Sequence, residues 1–303
     1  MPAVAMRKKA SLLIVGCGTP SPTPERFGSC LVLTASGERL MFDCGPAATH
    51  KLVKSGIAPT EIEHLFFTHH HYDHNADTPC FLLCRWDHER PGVPPLKVYG
   101  PAPTAAFTAK LIGPAGALAD DWRARVEQPA SRAVYAGRGG RLPRPAPAFE
   151  VREIAPGAAV ATRRCRVSAG HAVHLQPLLD CLCYRIEWEG GALVVTGDAG
   201  RNPGLEAFAA GADTLVVNVW DHQANMSETL LSGFCGTLDS AELARAAGAL
   251  RLIVAHQGPR LARPGDRERA VADMAAVFSG EIVFGEEGME IDLAPELINQ
   301  RMR

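Results

Sequence analysis

Seven consecutive residues, Thr68-His69-His70-His71-Tyr72-Asp73-His74, restrict what this chain can become more than any other stretch. They follow the apolar run His64-Leu65-Phe66-Phe67, which reads as a buried strand. A strand that passes into a loop can aim alternate side chains to one side, which groups His69 with His71, and Asp73 and His74 then open the next helix. Neutral imidazoles and a carboxylate this close in sequence form a nitrogen and oxygen donor set suited to Zn²⁺, with bonds of about 2.0–2.2 Å. The plain alternative, a solvated polar loop, leaves the rest of the pattern unexplained. Further donors stand where later strands end: His174, with His171 nearby, ahead of the strand at 182–186; Asp198 in Thr196-Gly197-Asp198 after the run ALVV; and His256 after the run LIVA. Such a set is too large for one tetrahedral zinc and suits two.

The order of elements provides a frame for that convergence. Short aliphatic or β-branched runs predict strands at 12–15, 30–34, 39–43, 64–68, 96–99, 182–188, 192–196, 214–219, 250–255 and 281–284. Helical spacing and Ala/Arg/Glu content predict helices at 47–56, 203–210, 240–248 and 264–279. Strands that pair early and alternate with helices later predict an α/β chain with sheets sandwiched by outer helices. The stretch 128–148, rich in Pro, Gly and Arg, reads as an exposed loop or protruding arm. At 303 residues and 47% hydrophobic composition, residues 1–303 can bury one large core and are read as a single domain.

With these landmarks in place, the chain resembles the metallo-β-lactamase superfamily and its ribonuclease Z branch. The resemblance rests on Gly16-Cys17-Gly18-Thr19-Pro20, Phe42-Asp43-Cys44-Gly45, the HxHxDH box, Val98-Tyr99-Gly100-Pro101, Tyr184-Arg185-Ile186, the TGD and the final strand-His, in family order from about Leu12 to Phe284. It implies a four-layer αββα sandwich with mixed sheets. It implies His69, His71 and His174 on one metal, Asp73, His74 and His256 on a second, and Asp198 bridging them. His174 is preferred to His171 because the family histidine leads into a loop that ends in Tyr-Arg. The resemblance also makes Asp43 a buried partner that orients the histidine loop. The reaction implied is hydrolysis by hydroxide held on zinc, two ions per chain, with Asp73 orienting the water and accepting its proton; manganese or iron can occupy the same donor set.

The bond broken is less constrained. In ribonuclease Z the strand after the TGD ends in His-Glu-Ala-Thr, whose acid works with a histidine of a downstream Gly-His-Ser-Thr segment on the leaving group. Here the first place reads Val217-Asn218-Val219-Trp220 and the second has Phe234. Asparagine does not relay protons as a carboxylate does, and phenylalanine carries none. Asn218 can bind substrate or approach a metal, or bond backbone at a strand end. Trp220 and Phe234 would line an apolar pocket, and His222 follows the same strand; the other histidines, His50, His64, His70 and His88, read as surface or structural. The preferred expectation is a small organic substrate with a phosphodiester, sulfate ester, lactone or similar bond. The alternatives are tRNA 3′-processing and a non-catalytic metal-binding or regulatory protein.

Charge and cysteine content bear on partners and compartment. A formal net charge of -2 creates no global field toward nucleic acid or membrane. Between 97 and 152, nine Lys+Arg stand against four Asp+Glu, including Arg138, Arg141 and Arg144. This local excess could meet tRNA phosphates, although a solvated, charge-decorated loop is the commoner cause. Nine cysteines without a CxxC pair read as buried thiols of a reducing compartment. The apolar run in the opening segment is too short for a leader, and no stretch approaches the length of a membrane span. The expectation is a cytoplasmic homodimer, the dimer by resemblance alone.

Overall fold

The computed structural model describes residues 10–294; the opening positions 1–9 of the segment tested above for a leader lie outside it. Two mixed sheets face one another. The first comprises β1 (Ala10–Cys17), β2 (Ser29–Ala35), β3 (Glu38–Phe42), β4 (His64–Phe66), β5 (Lys97–Gly100) and β6 (Glu150–Glu153). The second comprises β7 (Ala159–Ala161), β8 (Cys165–His171), β9 (Leu182–Trp188), β10 (Gly191–Val195), β11 (Thr214–Asp221), the short β12 (Cys235–Gly236), β13 (Arg251–Ala255) and β14 (Glu281–Phe284). A last strand, β15 (Glu290–Asp292), crosses back to the first sheet, whose order is β15-β1-β2-β3-β4-β5-β6. The second sheet runs β14-β13-β11-β10-β9-β8-β7, with β12 beside β11.

Strict alternation along the strands makes two sheets and three apolar layers from one sequence. In β1, Leu12 and Ile14 face the other sheet, while Leu13 and Val15 face the outer helices. In β13, Ile253 points to the inter-sheet core and Leu252 and Val254 to the opposite side. Ten α-helices complete the described residues. Those after the first strands are α1 (Ala48–Lys54), α2 (Tyr72–Asn75), α3 (Thr78–Asp87), α4 (Thr104–Ile112), α5 (Ala119–Glu127) and α6 (Pro129–Gly137). The later four are α7 (Pro203–Ala209), α8 (Glu228–Leu231), α9 (Thr237–Ala247) and α10 (Asp266–Ala275). Leu52, Phe81, Leu82 and Ile112 from α1, α3 and α4 cover the first sheet; Leu205, Leu243, Ala244 and Met274 from α7, α9 and α10 cover the second. The result is helix, sheet, sheet, helix, the four-layer αββα sandwich.

The stretch 128–148 departs from its reading as a loop. Pro129 starts α6, where its missing N–H costs nothing, so the segment runs helical to Gly137 before it becomes irregular. Arg144 is buried, its guanidinium stacked 3.9 Å from the Trp86 ring centre and 4.6 Å from that of Tyr135. Arg125, Arg138 and Arg144 all pair with Asp87, so part of the basic excess is neutralised within the fold. Among the described residues, no helix is long and apolar enough to cross a membrane.

Candidate metal centre

All the candidate donors gather at one rim of the sandwich. Parallel pairings β3/β4 in one sheet and β10/β11 and β11/β13 in the other bring the carboxyl ends of these strands to the same side, the usual location of sites in such sheets. β4 runs out into the HxHxDH box, β10 into Asp198 and β13 into His256. The box itself splits: His69 and His71 lie in the loop, with His71 at the N-cap of α2, while Asp73 and His74 belong to α2. Two glycines allow the close approach. A Cβ on Gly45 would stand 2.3 Å from the Asp73 carbonyl oxygen, and Gly197, at φ +60°, makes the turn of the TGD.

The donors form two adjoining groups, His69, His71, His174 and Asp198 in one and Asp73, His74 and His256 in the other, each within 4.8 Å. Asp198 faces both: Oδ1 lies 3.6 Å from His74 Nε2 and 3.7 Å from His256 Nε2, and Oδ2 lies 3.7 Å from His174 Nε2. These separations exceed a hydrogen bond. They are near the ~3.4 Å between two atoms that are each ~2.1 Å from a tetrahedral ion. His74 Nε2, His174 Nε2 and Asp73 Oδ1 are buried without a hydrogen-bond partner in the protein, and burying such atoms is costly unless something else satisfies them. The residues therefore fit a pair of cations. His171 ends β8 exposed, outside both groups.

A surrounding set of bonds fixes which ring nitrogen faces inward. Asp43 Oδ2 accepts from His74 Nδ1 at 2.7 Å, and Asp43 Oδ1 accepts from the Thr68 backbone N–H at 2.8 Å. The Thr68 hydroxyl adds bonds to Asp43 and stands 3.0 Å from His69 Nδ1. His174 Nδ1 donates to the Gly233 carbonyl at 2.8 Å. Each bond leaves the other nitrogen for the centre. Asp43 and His256 hold positive φ, 61° and 44°, a conformation few non-glycine residues adopt. Electrostatics at His69, His71 and Asp198 match the chemistry, whereas the negative charge around His74 favours a proton there that a bound cation would have to displace. Burial and then the neighbouring His74 push His69 well below the usual imidazole range, and burial and His174 lower His71. Burial would raise Asp198, but His256 and His74 hold it well below the carboxylate range. Burial would lower His74, yet Asp43 and Asp198 raise it well above.

Comparison with known proteins agrees with this geometry. A family model described as Anti-Pycsar protein Apyc1 matches residues 10–81. The chain is 29% identical over 281 residues to ribonuclease Z of Mycolicibacterium paratuberculosis, covering 90% of this chain and 95% of that one. It superposes on the metallo-beta-lactamase fold protein YhfI from Bacillus subtilis with a TM-score of 0.73 at 18% identity, covering 94% of this chain and 99% of the other. Human tRNase Z, short form, gives 0.66 at 20% identity, covering 93% and 98%. The chain has the metallo-β-lactamase fold, and its sequence is similar to ribonuclease Z over nearly its whole length.

The curated relatives named ribonuclease Z, together with the two donor groups, support a metal-dependent hydrolase. The residues expected to line its pocket divide. Asn218 is buried and donates through Nδ2 to Asp198 Oδ1 at 2.7 Å, so it serves the carboxylate facing both donor groups rather than a substrate or a bare backbone group. His222 is also buried, and its ring nitrogens face Asp266 at 3.8 Å and Asp273 at 3.7 Å, both on α10, and it belongs to neither donor group. Trp220 and Phe234 do stand at the rim: Phe234 meets the His174 ring edge-to-face at 4.7 Å, and Trp220 lies 5.3 Å from Phe234. Thr68 and the Gly233 carbonyl had escaped sequence reading. A threonine ahead of the box suggests its own role only once Asp43 is placed, and a carbonyl leaves no mark in a sequence.

Proposed function

We propose that this hydrolase cleaves phosphodiesters at a dinuclear zinc centre, with His69, His71 and His174 holding one ion, Asp73, His74 and His256 the other, and Asp198 between them. The observation that carries the reading is the set of unpartnered buried donors, His74 Nε2, His174 Nε2 and Asp73 Oδ1, directed at the same space as both Asp198 oxygens. Zinc suits the imidazole-rich set, although manganese or iron can bind it. When bound, such a pair supplies Lewis acidity and a water acidic enough to attack near neutral pH. The remaining work falls to the chain. Asp73, buried on α2 with Oδ2 3.0 Å from His256 Nε2, would take the proton of the attacking water. Asn218 steadies Asp198, Asp43 steadies His74, and Phe234 excludes water beside His174 without offering the leaving group a proton.

Two substrate classes follow from two kinds of support. The name ribonuclease Z, borne by the curated relatives over nearly their full length, supports a pre-tRNA 3′ trailer as the first reading, ahead of the small substrate expected from sequence. The Trp220–Phe234 pair at the place where that branch carries a proton-transferring histidine supports a compact, aromatic phosphodiester as the second. Both work with a single-domain homodimer in the cytoplasm, which sedimentation of the purified protein would test. Pre-tRNA with a 3′ trailer, bis(p-nitrophenyl) phosphate, an aryl sulfate and a lactone should be assayed side by side at physiological salt. Trailer removal with kcat/KM well above that for the aryl phosphodiester supports the RNA reading, and the reverse supports the compact one. Asp198→Ala should abolish turnover of either and lower bound metal. Turnover of the sulfate or lactone alone, or full activity without metal, refutes the proposal.

A further inference from the structure

The nine cysteines fall into two unequal sets. Cys17, Cys30, Cys44, Cys165, Cys181, Cys183 and Cys235 are buried. Burial pushes Cys17, Cys165, Cys181, Cys183 and Cys235 up to about 12, so these thiols stay protonated and inert. Cys80 is exposed and Cys84 half-buried. They lie one turn apart on α3, and their sulfurs are 3.9 Å from each other.

An α-helix advances ~1.5 Å per residue, so Cα atoms four apart stand ~6 Å from each other, inside the ~4.4–6.8 Å window that a disulfide spans. The Cβ atoms of such a pair stand ~5–6 Å apart, against the ~3.5–4.5 Å of a disulfide, so closing the bond takes side-chain rotation together with a tightening of the turn of α3 between the two residues. Cys84 also lines a cleft of about 460 Å³ beside Thr49, Pro59, His88 and Arg90, which gives a small oxidant a second approach.

We propose that Cys80 and Cys84 are a thiol-modification site that closes to a reversible intrahelical disulfide on exposure to a hydroperoxide. Cys80, the more exposed, attacks the peroxide: its sulfur gains the hydroxyl oxygen as a sulfenic acid, the O–O bond breaks, and an alcohol or water leaves. The Cys84 sulfur then displaces that hydroxyl, forming S–S, while its own proton departs with the hydroxyl as a second water. The pair loses two electrons and the peroxide gains them. Burial and the adjacent Cys80 raise the Cys84 thiol to about 11, which makes it the slower, resolving partner. A bond exposed and constrained by a helix is of the readily reduced kind, and dithiothreitol should reopen it.

The test is intact-mass analysis of the metal-loaded chain after hydrogen peroxide, with thiols titrated in denaturant. The expected result is a loss of two hydrogens per chain, a fall from nine titratable thiols to seven, and an internal link within the tryptic peptide 55–85, all reversed by dithiothreitol. Cys80→Ser and Cys84→Ser, both on the outer side of α3, should each lack the link while keeping wild-type circular dichroism. Persistence of the link in either variant, cross-linking between chains, or oxygen addition at Cys80 without a link would overturn the proposal.

Discussion

Asp43 shows how much of the centre depends on one side chain that faces away from it. Its two oxygens accept from the Thr68 backbone, the Thr68 hydroxyl and His74 Nδ1, and its backbone takes the left-handed conformation to do so. Asparagine tolerates that conformation, so Asp43→Asn keeps the loop while weakening the grip on His74. Metal affinity should fall about 10–100-fold, read by chelator competition, and the metal-free protein should lose about 1–3 kcal/mol, because the amide cannot accept from both His74 and Thr68. Unchanged affinity would mean that the loop alone aims His74. The residue-level reading from sequence was strongest where a donor sits directly after an apolar strand, as His69, Asp198 and His256 do. It was weakest for Asn218 and His222, because which way a side chain points at a strand end depends on neighbours from other elements. Asp198 claims the first, and α10 surrounds the second.

At the level of elements, long apolar strands were legible and lightly anchored ones were not. The strands at 182–188 and 281–284 match the structure at both ends, and 214–219 and 250–255 lie within two residues of it. β6, β7 and β8 went unread: β6 is largely exposed, β7 has a single buried residue, and β8 alternates correctly but with the small or modest side chains Cys165, Val167 and Ala169. α5 and α6 present only a few inward residues, chiefly Trp122 and Tyr135, so no helical period emerges. α3 carried a start signal in Pro79 that the neighbouring histidine box obscured. The junction between β3 and α1 supports a sharper prediction. Gly45→Ala would press a methyl group against the Asp73 carbonyl at 2.3 Å and the Ser29 backbone at 2.7 Å, atoms with no freedom to yield. The expected cost is about 1–3 kcal/mol by urea unfolding, together with reduced metal content as α2 shifts. A variant equally stable and fully loaded would show that this turn has slack.

Over the whole molecule, the sandwich is tied at the end remote from the donors by Glu38. Its carboxylate accepts from the Thr162 hydroxyl and the Arg163 and Arg164 backbone, joining β3 to the turn between β7 and β8. Burial alone would raise it, but bonds from His64, Thr162 and these amides lower it from 4.5 to about 2. Since the folded value lies below the unfolded one, the contribution is fully present above about pH 4.5 and disappears as pH falls toward 2. That shift corresponds to about 3 kcal/mol at neutral pH. Glu38→Gln should unfold more easily in urea at pH 7 and show a shallower loss of stability between pH 4.5 and 2 than the parent. Parallel acid limbs for the two proteins would remove Glu38 from this role.

The division of the donors between the halves has its own corollary. His69, His71, Asp73 and His74 extend from the first sheet, whereas His174, Asp198 and His256 extend from the second. A cation held by both is a rivet through the sandwich, and chelation withdraws it. The melting temperature should then climb with free zinc by an amount set by mass action, ~2.7 kcal/mol at a hundredfold excess over Kd. A melting point indifferent to chelator would mean that the two halves hold their spacing unaided; a responsive one makes the fold itself a gauge of cellular metal supply.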